Sequence, residues 1–400
     1  MNVLFLNNAE VAPFSNGIQR VTDLVAQGLM HIHNVRCYSA FFHENDVLPK
    51  SEFCGKLLLI RGQETEQIFR FISENKIEVV ICQEISLDRE VFRAIRVAVD
   101  KVENCKLIYC YHSSPDNVFV RPNFSIKFYN LIHKIDRKRS LKQLFVSMVP
   151  SFLYSFMVKK QTKRKNIFIN AVFDKVVLLS ESHIAPYCFL SDISSVKHQT
   201  KVVAIPNPQT FPEHFDMNDW PEKKKEVIIV SRLSDRSKRI ALGLRIWKKV
   251  KMDHLSSGWK LTIVGTGEDE QYYKDLSEKL NLKDVSFEGR QDPLKYYERA
   301  SVCMITSSYE GFSMNMLESL QMGVVPVVFD SYSALHDMLE DGKNGIIVPN
   351  NDLNKYVNEL LGLFQDERKR KKMAVEGLKS ADKFSIENIT DQWISLFKSM

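Results

Sequence analysis

Two carboxylates eight residues apart, Glu310 and Glu318, lie in the run SSYEGFSMNMLESLQMG at 307–323, behind an apolar strand candidate at 302–305. Ser313 reads as a helix N-cap and Gly323 as the residue just past that helix's end. The N–H groups of Phe312, Ser313, Met314 and Asn315 then point beyond the carboxyl end of the strand. Open α/β sheets bind ligands at that edge, and a helix start there favours an anion. Two glutamates at this spacing are commonplace on a solvated surface. The ordered context of strand, Ser-x-x-Glu-Gly-Phe, Glu, Gly and VVPVVF is much sharper.

A second segment supplies the opposite charge. A strand candidate at 227–230 runs into SRLSDRSKR, which carries Arg232, Arg236, Lys238 and Arg239. Cations at a strand's carboxyl end can neutralise a diphosphate, whereas a helix dipole offers only about half a charge. Arg232 and Lys238 are the cations paired with the glutamate segment. Arg236 and Arg239 read as solvated surface. Gly265-x-Gly267 hints at a dinucleotide turn, but position 270 is Glu270, so the third glycine is missing. The chain has no Asp-x-Asp and no His/Cys cluster, so no metal is expected.

These segments need a scaffold, and the rest of the chain supplies its pattern. Short apolar runs alternate with amphipathic stretches, as in parallel sheets covered by helices. Strands are expected at 3–6, 57–60, 79–82, 107–111, 176–179 and 202–205, then at 227–230, 261–264, 285–287, 302–305, 325–329 and 345–348. Two open α/β sheets in succession fit these better than one enlarged sheet. The boundary is set after Ile205, where a run with four prolines and clustered charge separates the two series. The expected division is 1–205, 206–383 and a closing amphipathic helix in 384–400, with Ile389, Trp393, Ile394 and Phe397 on one side.

The 400 residues are 44% hydrophobic and 26% charged, globular values for two domains. The net charge of +6 is unevenly spread: residues 121–165 hold twelve bases (Arg121, Lys127 and Lys134 among them) against one acid, Asp136. Aromatic and aliphatic residues, from Phe128 and Tyr129 to Phe152 and Phe156, interleave with them. The bland reading is helices packed on the first sheet with a wet basic face. The favoured one is an amphipathic surface docking on anionic lipid. No nucleic-acid module is recognised. The apolar stretch 144–158 falls short of the roughly 20 residues a spanning helix needs and contains Pro150. With no signal-peptide pattern, and seven cysteines that form no C-x-x-C pair, the expected place is the cytoplasm, at the inner face of the membrane.

The order SRL…KR, VGTGED, FEG, S-x-x-EGF, Glu318 and PVV resembles glycosyltransferase family 4, the group 1 retaining glycosyltransferases. Asn16-Gly17, His112 and Ile205-Pro206-Asn207 extend the likeness into the first half. The resemblance implies the GT-B fold, an α/β architecture of two Rossmann-like parallel-sheet domains facing across a cleft, with the acceptor side first and the nucleotide-sugar side second. It also implies a closing helix that crosses back to the first domain, and transfer from a UDP- or GDP-sugar to a glycan or polyprenyl-phosphate-linked acceptor. Such enzymes serve cell-surface polysaccharide biosynthesis, with no further cofactor.

By the same resemblance, Arg232 and Lys238 hold the donor diphosphate, Glu310 lies near the donor sugar and Glu318 holds the ribose hydroxyls. Gly17 lets backbone approach phosphate, and His112 contacts the transferred sugar. Gly289, Arg290, Gly311, Phe312, Ser313, Met314 and Asn315 complete the donor set. The sequence departs from the family pattern at Asn16, where a first glycine is usual, at Ser231, and in an Arg-to-Lys interval longer by one, which lets Arg236 stand in for Lys238. The rival readings are a sugar-nucleotide epimerase or hydrolase on the same fold and a non-catalytic nucleotide-sugar-binding scaffold.

Overall fold

The computed structural model describes residues 1–83, 89–115, 123–133, 137–191 and 201–400. Of the basic block, Arg121 and Lys134 lie outside the described residues, as does its one acid, Asp136. The chain forms two compact units. The first comprises Met1–Pro115, Lys160–Thr210 and Phe384–Met400, and the second Asp116–Lys159 and Phe211–Lys383.

Strands of the first unit are β1 (Asn2–Ala9), β2 (Arg36–His43), β3 (Lys56–Leu58), β4 (Val79–Cys82), β5 (Lys106–Tyr111), β6 (Lys175–Leu178) and β7 (Val202–Ala204). They form one parallel sheet in the order β3-β2-β1-β4-β5-β6-β7. In the second unit β8 (Lys224–Val230), β9 (Lys260–Val264), β10 (Val285–Gly289), β11 (Ala300–Ile305), β12 (Val325–Asp330) and β13 (Ile346–Pro349) follow the order β10-β9-β8-β11-β12-β13, again all parallel. Helices that cover the sheets or border their edges include α1 (Gly17–His33), α2 (Phe124–Ile132), α3 (Arg137–Met148), α4 (Ser151–Val172), α5 (Asp235–Lys238), α6 (Met314–Gln321) and α7 (Ile386–Lys398).

The two sheets form because their strands are apolar toward both faces: β4 is buried throughout, and so is β11. β2 was not among the expected strands. Its sequence, RCYSAFFH, contains no β-branched residue, yet Cys37 to Phe42 are buried beside β1. In the first unit α7 crosses α1 at Gly28, where a Cβ would come within 2.7 Å of Ile386 and 2.8 Å of Thr390. Only glycine permits that approach. In the second unit the core gathers Val227, Ile229, Leu261, Ile263, Val302 and Met304 around Trp247 and Trp259.

One reading of the basic block is corrected. Lys127 is 2% exposed, and its α2 neighbour Ile126 is buried in the core of the second unit. Lys127 is therefore no part of a charged surface. Among the described residues no single helix is long and apolar enough to cross a membrane.

Candidate active site

In the second sheet the chain runs from β8 outward to β9 and β10, then returns to place β11 on the other side of β8. The strand order therefore reverses between β8 and β11, and open α/β sheets present their ligand crevice at such a point, outside the carboxyl ends. Both segments singled out by their chemistry leave from these two ends. The loop after β8 carries Arg232 and runs into the single turn of α5, which ends at Lys238. The loop after β11 carries Glu310 and runs into α6.

The two loops are stitched together by hydrogen bonds. Ser308 donates its N–H to Ser237 O (2.7 Å) and its hydroxyl to Arg236 O (2.7 Å), and Thr306 Oγ1 donates to Lys238 O at 2.8 Å. Across this seam Lys238 Nζ meets Glu310 Oε1 at 2.6 Å, and Ser307 Oγ donates to the same oxygen at 2.5 Å. The Lys238 and Glu310 side chains are 19% and 12% exposed, sheltered but not sealed. Arg232, on the same loop, is exposed.

Arg239 was expected to be wet surface, and the structure corrects this. Its guanidinium donates to Thr306 O (2.6 Å) and Ser307 O (2.7 Å), and also to Asn350 and Asn351 (2.9 Å each). Burial pulls its pKa down to about 10. Its backbone is left-handed, φ 49°, between α5 and the next helix. Arg239 thus ties the β11 loop in place, and Lys238 beside it is left facing Glu310. Arg236 contributes its carbonyl to the seam.

At α6, Ser313 holds the N-cap position but its side chain does not cap the backbone; the hydroxyl turns to Asn315 Oδ1 at 2.7 Å. Asn315 Nδ2 reaches back to Val230 O, the end of β8, at 3.3 Å. Phe312 is buried, and Gly311 and Met314 are half-buried. Glu318 is buried inside the helix. Gly323, φ 62°, takes the left-handed position past the helix end.

The third loop, after β9, explains a motif the sequence left without a role. Gly265 and Gly267 pack against the backbone of the Arg232 loop: a Cβ would sit 1.9 Å from Ser231 O at Gly265 and 2.3 Å from Leu233 O at Gly267. Ser231 N–H donates to Val264 O at 3.0 Å and Leu233 N–H to Thr266 O at 2.9 Å. Gly265 N–H in turn donates to Gly289 O at 2.8 Å, so Gly289 and the exposed Arg290 continue the same edge at β10.

Behind this edge lies a buried charge cluster that the sequence did not reveal. Lys127 Nζ of α2 is 3.0 Å from Asp269 Oδ1, and Asn130 Nδ2 donates to the same oxygen at 2.6 Å. Asp269 Oδ2 accepts the N–H of Asp235 at 2.8 Å, fixing the start of α5. Burial, and then the neighbouring Asp269, push the Asp235 carboxyl up from its ordinary range. Asp269 was visible in VGTGED, but Lys127 is 142 positions away, and no local pattern joins them.

The first unit holds the other two candidates. Gly17 opens α1, where Asn16 Oδ1 caps the helix by accepting from Gln19 N at 3.1 Å, and no atom lies within 4 Å of a Cβ at Gly17. The departure at Asn16 is thus an N-cap. His112 follows β5 and pairs through Nε2 with Gln83 Oε1 at the end of neighbouring β4. Among the described residues no group of three or more His, Cys, Asp or Glu is placed to hold a metal ion.

The chain is similar over 182 residues, at 26% identity, to the poly(glycerol-phosphate) alpha-glucosyltransferase of Bacillus subtilis, matching 45% of this chain and 27% of that protein. Similarity at 26% identity to the poly(ribitol-phosphate) alpha-N-acetylglucosaminyltransferase of Staphylococcus aureus covers 72% of this chain and 56% of the relative. The chain thus spans much less than the full length of these relatives. Among solved structures, Anabaena HepE in complex with UDP-glucose superposes with a TM-score of 0.69 at 13% identity, covering 100% of both chains. That likeness agrees with the GT-B architecture of two parallel-sheet α/β domains. The seam, the Lys238–Glu310 pair and the glycine contacts all fall within residues 210–380, the part of the chain that matches the family model of glycosyl transferases group 1.

Proposed function

We propose that the chain transfers a sugar from a nucleotide-diphosphate donor to a hydroxyl of a glycan or polyprenyl-phosphate-linked acceptor in cell-surface polysaccharide biosynthesis. The observation that carries this reading is the Lys238–Glu310 pair at the strand-order reversal, with Arg232 exposed on the same loop. A cation already held beside the crevice needs little reorganisation to receive a diphosphate. Such preorganised charge acts where the leaving group develops its own. In this reading Arg232 and Lys238 take the diphosphate, helped by the amides of Phe312 to Asn315, and stand where a divalent ion otherwise would.

Glu310 then accepts hydrogen bonds from the donor sugar and Glu318 from the ribose. Carboxylates suit hydroxyl donors and would repel phosphate. Gly17 and His112 serve the phosphate and the transferred sugar. The bond from the anomeric carbon to the diphosphate oxygen breaks as that carbon bonds the acceptor oxygen on the same face. The acceptor's proton passes to the departing phosphate, so configuration is retained. A uridine donor is supported by the UDP-glucose complex of the solved relative. The place we assign is the cytoplasmic face of the membrane, supported by the cation-rich segment 121–165.

The test is transfer from UDP-sugars to a panel of polyprenyl-linked and glycan acceptors, with anomeric configuration read by NMR and with EDTA present. Lys238→Ala and Glu310→Ala should each lower turnover by about 10²–10³-fold. If both stay within a few-fold of wild type, the site is misassigned. An isomerised sugar from donor incubated alone would favour an epimerase instead.

A further inference from the structure

From Gln143 to Val158 the chain carries no charged side chain, while Lys138, Arg139 and Lys142 precede this run and Lys159 and Lys160 follow it. In the structure the run is the bend between α3 and α4, which turn through 113° at the break between Met148 and Ser151. Its large apolar side chains face outward: Phe145, Met148, Phe152, Phe156 and Met157 are 63% to 71% exposed. Phe152 and Phe156 stand one turn apart on one face of α4. Soluble surfaces scatter such residues singly; gathered at one bend, they mark a docking surface.

Charge decides what docks there. No Asp or Glu occurs between Arg137 and Lys165, so a second copy placed on this face would set cations against cations. An apolar tip with cations at its shoulders matches instead a bilayer whose headgroups are anionic and whose acyl region lies just beneath. The surface also adjoins the candidate site. Arg139 of α3 pairs with Glu268 at 2.7 Å, on the β9 loop beside Asp269. From α2, which packs on α3, Lys127 reaches Asp269 behind the Arg232 loop.

We propose that the α3–α4 bend is an interfacial anchor that inserts Phe145, Met148, Phe152 and Phe156 into an anionic bilayer while Lys138, Lys142 and Lys159 hold the headgroups. This refines the membrane-face placement above and rests on it only for its setting. The test contains no sugar nucleotide, so it fails separately from the transferase reading.

The full chain is sedimented with vesicles of phosphatidylcholine alone or mixed with phosphatidylglycerol, at low and high salt. The expected result is binding to the anionic vesicles that weakens with salt. Phe152→Ser with Phe156→Ser should lower partitioning by about tenfold per phenylalanine. Thermal stability should stay unchanged, since both positions are exposed. A Phe152→Trp variant should be quenched by lipids brominated in the acyl chain. Failure to bind at low salt, wild-type binding by the double serine variant, or an unquenched indole each overturns the anchor. So does self-association that the double variant abolishes without any vesicle binding, which would assign the face to a second copy.

Discussion

Gly267→Ala tests whether the backbone contact between the β9 loop and the Arg232 loop sets the donor site. A methyl group at this position would sit 2.3 Å from Leu233 O, 2.6 Å from Leu233 C and 2.7 Å from Leu233 N. All three are backbone atoms, so no side chain can rotate away. Relief requires the loop to move by about 1 Å, the gap between 2.3 Å and an ordinary 3.4 Å contact. Overpacking of this kind costs about 1–3 kcal/mol, and thermal unfolding should fall by about 2–4 °C per kcal/mol for a unit of this size. Leu233 sits between Arg232 and the start of α5, so the displacement reaches both candidate cations. A misplacement near 1 Å can cost about 100-fold in turnover. The assay pairs thermal unfolding with calorimetric titration of UDP-sugar and with kcat/KM. Gly362→Ala, on a helix where no atom lies within 4 Å of the new methyl, controls for any general effect of alanine. Should Gly267→Ala lose stability yet keep donor affinity and turnover within twofold of wild type, the loop contact would be shown to hold the fold without positioning the cations.

Gly17→Ala should not destabilise, because nothing lies within 4 Å of the added methyl and alanine favours the helix by up to about 1 kcal/mol; loss of transfer with undiminished Tm would support backbone approach to a phosphate, and full activity would refute it. Lys127→Met leaves Asp269, 0% exposed, without its cation beside the already raised Asp235. A broken buried pair costs about 3–5 kcal/mol, and urea unfolding should find Lys127→Met with Asp269→Asn less damaged than Lys127→Met alone. Lys223 donates to Tyr297 O and Met322 O, and burial pulls its pKa down from 10.5 to about 7. Between those values the unfolded chain holds a proton that the folded chain lacks, so stability rises with pH by up to about 1.4 kcal/mol per unit. Lys223→Met should flatten that slope in urea titrations at pH 7, 8 and 9, and equal slopes in the two proteins would contradict it.

What could be read from sequence was whatever local chemistry announces. Apolar runs such as VVIC and ASVCMI give buried parallel strands because no alternation marks a wet face. RCYSAFFH hid its strand because burial, not β-branching, places it there. The Arg232 and Glu310 segments stood out by charge next to strand ends. Residues whose role depends on distant partners were misread. Arg239 looked solvated until the β11 loop, 67 positions on, was seen to surround it. Lys127 was counted among surface cations because Asp269 lies 142 positions later. Gly265-x-Gly267 lacks the third glycine of a dinucleotide turn, and nothing in the string G-x-G points instead to the neighbouring backbone it packs against.

Arg239, Lys127, Gly265 and Gly267 share a task, and it bears on how two cations come to be available at one edge. A loop bearing Arg232, Arg236, Lys238 and Arg239 would, if unsupported, scatter its charges into solvent to reduce mutual repulsion. Arg239 is instead drawn down by Thr306 O and Ser307 O, and the backbone at 231–233 is pinned by the β9 loop. The start of α5 is clamped by Asp269, itself neutralised by Lys127. Held at these three places, the loop presents Lys238 beside Glu310. The geometry of the candidate site is therefore set as much by residues that would never touch a donor as by those that would. Substitutions at Gly267, Lys127 or Arg239 should disturb donor affinity together with stability, whereas Lys238→Ala should lower donor affinity and turnover with little change in thermal unfolding.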